Sequence, residues 1–458
     1  MSARAKELFE TSVDQVRRGQ VRAALATLLD SLALDPLATQ SLEAAAKLCR
    51  VLGSAADANR FEGMAQGERG PEQLFELGWQ LVAHGRPDVG LAYLRAALKG
   101  VDEPAAESAI RRELAYAQLL TRDFGGCLTT LSPLLSSQEL ADGEQLDIQL
   151  LAAEAALYVG KAELCRAQLS RADEHIAEDS QRERIDGVHR LLGRATRWEQ
   201  GLAKLGLREW HHIQHAGVLL KTAGGWFEDG SLGGRFELLE LRTDMVAFLL
   251  QRLVHLLEDL QLLPEVVVPA SETSAPLAQA LALALQVPLE PDLAARRDRR
   301  ALLVAAAAGE LTPFSRGLTT HRADIQVFSL GLDWSLDAQV CPDVTGVLAR
   351  RVFLPWEARF SADPDGGQGR SDGGDARDPA LIGAELVSAM QNLPDDGGAA
   401  REEFLSFYRP LAGELVLGHP DVHPQRRQFT HLSPAWTPTG KGPRAANRDA
   451  NEDAPDAV

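Results

Sequence analysis

Three histidines, His211, His212 and His215, are the residues whose type and spacing come closest to those of a metal site. Histidines three or four positions apart on a helix point their rings to one side, where the ring nitrogens can bind zinc. A hydrolytic zinc site also needs a glutamate beside the first histidine, but Ile213 and Gln214 follow here. No nearby cysteine or carboxylate completes a zinc-binding pattern. We therefore predict that the chain binds no metal.

A second polar group, Ser271, Thr273 and Ser274, stands between an apolar run and a predicted helix. Hydroxyl side chains at this position cap the free backbone N–H groups of the first helical turn. The same N–H groups and the positive end of the helix dipole attract anions such as phosphate. The sequence leaves both interpretations open: ordinary capping, or an anion site for a phosphate or nucleotide.

The sequence contains none of the common motifs that would point to catalysis. It has no Gly-x-Ser-x-Gly nucleophile elbow, no P-loop and no Gly-x-Gly-x-x-Gly fingerprint. We predict no catalytic residue and no cofactor.

The polar loop at 271–274 belongs to a region, from about residue 210, whose pattern predicts an α/β fold. Short apolar runs predict strands, at 215–221, 235–241, 265–269, 301–304 and 325–330. Amphipathic helices are predicted between and after them, at 244–260, 274–283, 379–392 and 400–408. Strands that alternate with helices favour a mainly parallel sheet with helices packed on it.

The hydrophobic pattern from Val266 to Leu289, with the later strand Ala301–Val304, resembles the first pyrophosphate-loop region of type I phosphoribosyltransferases. In that family two adjacent acidic residues follow the later strand and engage the ribose hydroxyls and the metal. This chain has a run of alanines there, Ala305–Ala308, and alanine can hold neither group. The resemblance therefore implies a catalytically silent domain; the alternative is an enzyme of nucleotide or phosphoribosyl metabolism with an altered site.

The first 175 residues carry a repeat. Turn residues recur 32 to 38 positions apart, at Gly19, Gly53, Gly85, Arg122 and Gly160. Small and large apolar residues recur at fixed offsets around most of these turns. A period of this length is typical of a solenoid of helical hairpins, in which each unit buries its apolar face only against its neighbours. A helical bundle with coincidental spacing is the alternative.

Around Gly85 the offsets are filled by Leu74, Leu77 and Gly78 on the first helix and by Gly90 and Leu94 on the second. This order resembles the tetratricopeptide repeat, over about five degenerate units between residues 3 and 175. The resemblance implies a groove, lined by the first helix of each pair, that binds another protein or peptide. The tentative contact residues, expected to be exposed, are Gln73, Glu76, Gln80, Gln118 and Gln149.

Length and composition limit the remaining possibilities. The 458 residues carry a formal charge of −18, which is unlike the basic surface that nucleic acid requires. No uninterrupted apolar run is long enough to span a membrane, and no secretory signal is apparent. The four cysteines are scattered, as expected of buried thiols in a reducing cytoplasm, and the excess of arginine over lysine indicates a GC-rich bacterial genome.

The sequence thus predicts a multidomain protein in which an all-α, tetratricopeptide-like solenoid precedes an α/β domain. We expect a repeat domain at 1–178, a helical connector at 179–208 and an α/β domain at 209–439. The segment 361–378, inside the α/β domain, and the tail 440–458 are rich in Gly, Asp and polar residues, and we expect both to be disordered. The predicted function is a cytoplasmic adaptor or scaffold; the sequence does not predict the oligomeric state.

Overall fold

A computed structural model describes residues 2–136, 142–176, 178–198, 205–222, 234–296, 299–320, 325–334, 340–357, 359–361, 370–372, 374–393 and 398–417. The predicted tail at 440–458 lies outside them. The chain divides into two compact units, and the boundary between them falls between Ala203 and Lys204. We refer to them as the helical unit and the α/β unit.

The helical unit is a series of helices joined by short turns. They are α1 (Ala3–Arg17), α2 (Val21–Leu34), α3 (Thr39–Val51), α4 (Ala55–Gln66), α5 (Pro71–Ala83), α6 (Pro87–Gly100), α7 (Pro104–Leu120), α8 (Phe124–Leu135), α9 (Asp142–Tyr158), α10 (Ala162–Ala172) and α11 (Asp179–Ala195). Consecutive helices from α1 to α10 pack in pairs, which gives five hairpins. The predicted tetratricopeptide-like repeat is therefore present as a helical-repeat region.

The five predicted turn residues share one backbone conformation. Gly19, Gly53, Gly85 and Gly160 have φ between 73° and 85°, and Arg122 has φ 65°. This left-handed region costs glycine nothing but strains other residues, which explains why glycine recurs at the turns. Arg122 adopts the same turn at some conformational cost.

The small residues of the repeat lie where paired helices approach each other. Ala115 of α7 and Ala153 of α9 are both fully buried. Gly78 of α5 packs so closely on α6 that an added Cβ would lie 2.9 Å from Leu94 Cγ. The prediction that these positions are buried between helices is confirmed.

Helix α6 contacts α2 directly, although the hairpin α3–α4 lies between them in the sequence. Tyr93 of α6 donates a hydrogen bond of 2.7 Å to the carbonyl oxygen of Pro36, just after α2. Arg86, the residue before α6, forms an ion pair of 2.7 Å with Asp30 of α2.

Helix α11 occupies much of the segment expected to be a connector. It packs on α9 and α10 through Ile185, Val188 and Leu192, which are buried. Arg184 of α11 also forms an ion pair of 2.9 Å with Asp147 of α9. This part of the expected connector therefore continues the helical stack.

The α/β unit contains a six-stranded sheet in which every described pairing is parallel. Its strands are β1 (Val218–Leu219), β2 (Arg235–Glu240), β3 (Val266–Pro269), β4 (Ala301–Ala307), β5 (Ile325–Leu332) and β6 (Val344–Phe353). The order is β1-β6-β5-β4-β3, and β2 also pairs with β6, further along that strand than β1. A parallel sheet is what the sequence predicted, although it did not predict β6.

Six helices accompany the strands in the described part of this unit. They are α12 (Leu207–His215), α13 (Thr243–Asp259), α14 (Ala275–Leu285), α15 (Ser315–Thr320), α16 (Pro379–Gln391) and α17 (Ala399–Tyr408). Among these, α13, α14 and α16 pack on one another. The closest approach is at Gly383 of α16, where an added Cβ would lie 2.7 Å from Gln279 Cγ of α14.

One sequence expectation for this unit needs correction. The strand expected at 215–221 is only Val218–Leu219, because the preceding residues form α12. Of the segment 361–378, which was expected to be disordered, residues 361, 370–372 and 374–378 are described; there β7 (Arg359–Ser361) and β8 (Arg370–Asp372) pair as an antiparallel ribbon. The disorder of the segment stays a prediction.

Candidate functional site

Three of the predicted groove residues share the solvent-facing side of α5. Gln73 and Glu76 are exposed, and Gln80 is partly exposed. Glu76 accepts a hydrogen bond of 2.9 Å from Arg60 of α4, and the Gln80 amide lies 3.0 Å from His84 Nε2. These side chains are therefore available on the surface, on the side of α5 that faces α4.

The other two predicted contact residues are buried, so the expectation that they are exposed is wrong. Gln118 of α7 is 5% exposed and Gln149 of α9 is 8% exposed. The reason is that α7 and α9 have packed neighbours on both sides, which leaves each a narrower exposed strip than α5 has. The repeat period in the sequence predicts the helix on which each glutamine lies, but it does not predict how much of that helix is exposed.

The sequence analysis missed an aromatic stripe on the other side of α5. Phe75 and Trp79, one helical turn apart, lie on the same side, and Trp79 is 45% exposed. Phe75 packs, together with Tyr116 and Leu120 of α7, on one buried apolar cluster between the helices. We call Phe75, Trp79, Tyr116 and Leu120 the α5–α7 stripe. The spacing of aromatic residues at 75 and 79 is the sequence signal that could have found it.

The segment of the sequence that contains α7 is acidic. Residues 101–150, which contain α7 and the start of α9, include nine acidic and three basic residues. Burial raises the pKa of Glu113 on α7, with Arg112 opposing the shift and Asp147 adding to it. Arg112 itself lies 3.7 Å from Glu144 of α9. Arg112, one of the three basic residues of this segment, is thus already paired with an acidic side chain.

The three histidines of the metal hypothesis lie on α12 and are all buried. The rings of His211 and His215 are 5.3 Å apart, and His212 Nε2 lies 3.6 Å from a carboxylate oxygen of Glu414. Burial lowers the pKa of His211 to about 4, so this ring is neutral at pH 7. Among the described residues no group of three or more potential ligands is arranged to hold a metal.

The loop after β3 closes on itself through its serines. Ser274 Oγ accepts a hydrogen bond of 2.8 Å from Ser271 N, and Ser271 Oγ accepts one of 3.2 Å from Ser274 N. These reciprocal bonds close the turn before α14, whereas the Ser274 side chain makes no capping hydrogen bond to the helix itself. The closed turn gives both serines a structural role; an anion site at Ser271, Thr273 and Ser274 stays a prediction.

A carboxylate of the chain lies against the same loop. Glu310, in the 3-10 turn after β4, hydrogen-bonds to the Ser271 side chain and accepts a bond of 3.1 Å from Ala306 N. Burial raises the pKa of Glu310, and these hydrogen bonds oppose the shift. Glu310 thus lies at the end of β4, close to the buried alanines Ala305 and Ala308 in the chain.

No protein-family model and no curated protein sequence matches this chain. Solved structures that align with it include the following two. PilW, described as a widely conserved type IV pilus biogenesis factor, is 17% identical over 42% of this chain and 84% of its own, with a TM-score of 0.25. The TPR domain of P58(IPK) is 17% identical over 42% of this chain and 57% of its own, with a TM-score of 0.14.

Identities and TM-scores of this size carry no functional argument, and neither alignment supports the resemblance to phosphoribosyltransferases. The repeat assignment rests instead on the hairpins, their left-handed turns and the buried small residues described above. In the part of the chain that the structure describes, no helix is long and apolar enough to cross a membrane.

Proposed function

We propose that this protein is an interaction adaptor whose helical unit binds a partner polypeptide along the α5–α7 stripe. The observation that carries the proposal is Trp79, a large aromatic side chain that is 45% exposed beside a half-buried phenylalanine. Tryptophan and tyrosine are enriched at protein interfaces, because they bury a large apolar area at a small entropic cost. Gln73, Glu76 and Gln80 would border the same segment on the α4 side.

The partner that fits this surface is a basic segment with at least one large apolar side chain. The apolar residue would cover Trp79 and Phe75, and lysine or arginine would meet the excess acidic charge of residues 101–150. Complementary charge speeds association and fixes the register of the segment, while the buried aromatic contact contributes most of the affinity.

In this proposal the α/β unit performs no phosphoribosyl transfer and serves as a structural module or a second binding surface. In the phosphoribosyltransferases that the sequence pattern resembles, an acidic pair would occupy the positions of Ala305–Ala308. The domain limits 1–178 and 209–439 and a bacterial, cytoplasmic setting belong to the same proposal. The four free, buried thiols accord with a reducing compartment.

Selection from a random peptide display library on the immobilised protein tests the proposal. We expect enrichment of peptides that combine lysine or arginine with an aromatic or large aliphatic residue. The same selection on Trp79→Ala should lose these peptides, whereas Val51→Ala, at another exposed apolar position of the helical unit, should keep them. Enrichment of acidic peptides, or of the same peptides on Trp79→Ala, would contradict the proposal.

A further inference from the structure

Arg235 at the start of β2 is a buried arginine that has no acidic partner among the described residues. The residue is 4% exposed, and its Nη2 atom has no hydrogen-bond partner. Burial lowers the pKa of Arg235 to about 10, and no charged group among the described residues offsets the effect. The guanidinium therefore remains positive at pH 7 inside the α/β unit.

A buried charge without a partner is costly, and proteins retain one mainly where something compensates it. The compensation within the chain is weak: the guanidinium carbon lies 5.9 Å from the ring of Trp334. Contact with an aromatic face attracts a cation but satisfies none of its N–H donors. The Nη2 donor of Arg235 is thus available to an acceptor from outside the chain.

The position of Arg235 in the sheet is where open α/β sheets bind their ligands. Arg235 pairs with Leu348 of β6, and Leu348 pairs with Leu332, the last residue of β5. The neighbouring strand β4 ends at the same level, at Ala307, opposite Gly331. Arg235 therefore lies level with the carboxyl ends of β4 and β5, the edge at which such ligands are held.

The surroundings of Arg235 define the class of ligand. Trp334, Leu332 and Leu348 belong to one buried apolar cluster, which also contains Leu207, Leu219, Ala308 and Cys341. The Trp334 ring is held in place by a hydrogen bond of 2.7 Å from its Nε1 to the carbonyl oxygen of Phe236. One guanidinium beside apolar walls suits a single negative charge on an apolar body, whereas a phosphate group needs more donors than one side chain supplies.

We propose that Arg235 and Trp334 form a binding site for a carboxylate carried on an apolar or aromatic group. The guanidinium binds the carboxylate through paired N–H donors, and the apolar body packs on Trp334. This site is independent of the proposed function of the helical unit.

The test is calorimetric titration of the full-length protein with phenylacetate, phenylacetamide and inorganic phosphate. We expect phenylacetate to bind roughly tenfold or more tightly than phenylacetamide, because a hydrogen-bonded charge pair replaces a neutral contact. Phosphate should bind more weakly than phenylacetate. Equal affinities for phenylacetate and phenylacetamide, or no binding of phenylacetate up to its solubility limit, would overturn the proposal, and so would a preference for phosphate.

Two variants locate the site. Arg235→Met keeps the length of the side chain and removes its charge, so it should abolish the preference for phenylacetate. Arg350→Met is the matched control, because Arg350 on β6 is half exposed and pairs with Glu237; it should keep the preference. Binding to Arg235→Met with unchanged preference would assign the anion to another site. The comparison of the acid with its amide on the wild-type protein needs neither variant to fold.

Discussion

Gly78 and Gly90 face each other across the α5–α6 hairpin. A Cβ added at Gly90 would lie 2.7 Å from the Gly78 carbonyl oxygen, closer than real Cβ contacts occur. The paired glycines thus set the distance between the two helices of this repeat, and the α5–α7 stripe rests on their packing.

Gly90→Ala should therefore destabilise the helical unit, by about 1–3 kcal/mol, as overpacked cores do. Gly125→Ala is the control, since Gly125 of α8 is also helical but has no atom within 4 Å of an added Cβ. It should be neutral or stabilising by about 0.5–1 kcal/mol. Chemical denaturation followed by circular dichroism measures both, and equal stability of the two variants would contradict the close packing.

Ser274→Ala should destabilise the α/β unit by about 1–2 kcal/mol, since Ser274 is fully buried and its hydroxyl joins both ends of the loop after β3. The matched change Thr273→Ala should have little effect, because Trp356 bonds to the backbone carbonyl of Thr273 and not to its side chain. Thermal denaturation distinguishes them. A larger loss of stability in Thr273→Ala than in Ser274→Ala would show that Ser274 is not the residue that closes the loop.

Glu113→Gln should stabilise the protein at pH 7 and leave it unchanged near pH 4. Burial raises the pKa of Glu113 above 4.5, so folding favours its protonated form. At pH values well below the unfolded pKa the carboxyl group is neutral in both states, and as the pH rises through that pKa the wild-type protein loses stability that glutamine keeps. Melting temperatures of both proteins between pH 4 and pH 7 measure the difference in stability, which should grow as the pH rises. A difference that shrinks with rising pH would contradict the raised pKa of Glu113.

The native protein should react slowly with Ellman's reagent at all four cysteines, each of which is buried. Burial raises the pKa of Cys49 to about 11 and those of Cys127 and Cys165 to about 12, so almost no reactive thiolate is present at pH 8. In denaturant four thiols should react at once. Fast reaction of any thiol in the folded protein would show that its surroundings open readily.

The protein should release no pyrophosphate from phosphoribosyl pyrophosphate with Mg²⁺ and any base. A transferring enzyme needs carboxylates near the ribose and the metal. Incubation with labelled substrate and a panel of bases tests this expectation. Base-dependent release at roughly 1 s⁻¹ or faster, lost in a variant with both Ser271→Ala and Thr273→Ala, would restore the enzyme hypothesis.

Local signals explain what the sequence could predict. The turns at Gly19 and Gly85 require a left-handed backbone, which glycine reveals directly. The apolar run of β3 is continuous because parallel strands are buried on both faces. By contrast, β6 escaped prediction because its apolar run is broken by Gly346, which is required by the close approach of the β5 backbone at Leu330.

The burial or exposure of the residues in the two candidate sites depends on tertiary contacts, which the repeat period of the sequence does not reveal. Gln118 is buried because helices pack on both sides of α7, while Trp79 is exposed because α5 leaves that side open. In the sequence, Arg235 looks like any polar residue at the start of a strand. Only the folded sheet shows that it is buried beside Trp334. Exposure at a given position of a repeat therefore has to be taken from the packed structure.

The affinity of one selected basic peptide for the wild-type protein, Trp79→Ala and Val51→Ala tests the central claim most directly. Both residues are exposed, so neither change should lower the melting temperature appreciably. We predict that Trp79→Ala weakens binding by more than about 1 kcal/mol, or roughly fivefold or more, and that Val51→Ala binds like the wild type. Equal affinities of all three proteins in fluorescence anisotropy would contradict a partner site on the α5–α7 stripe.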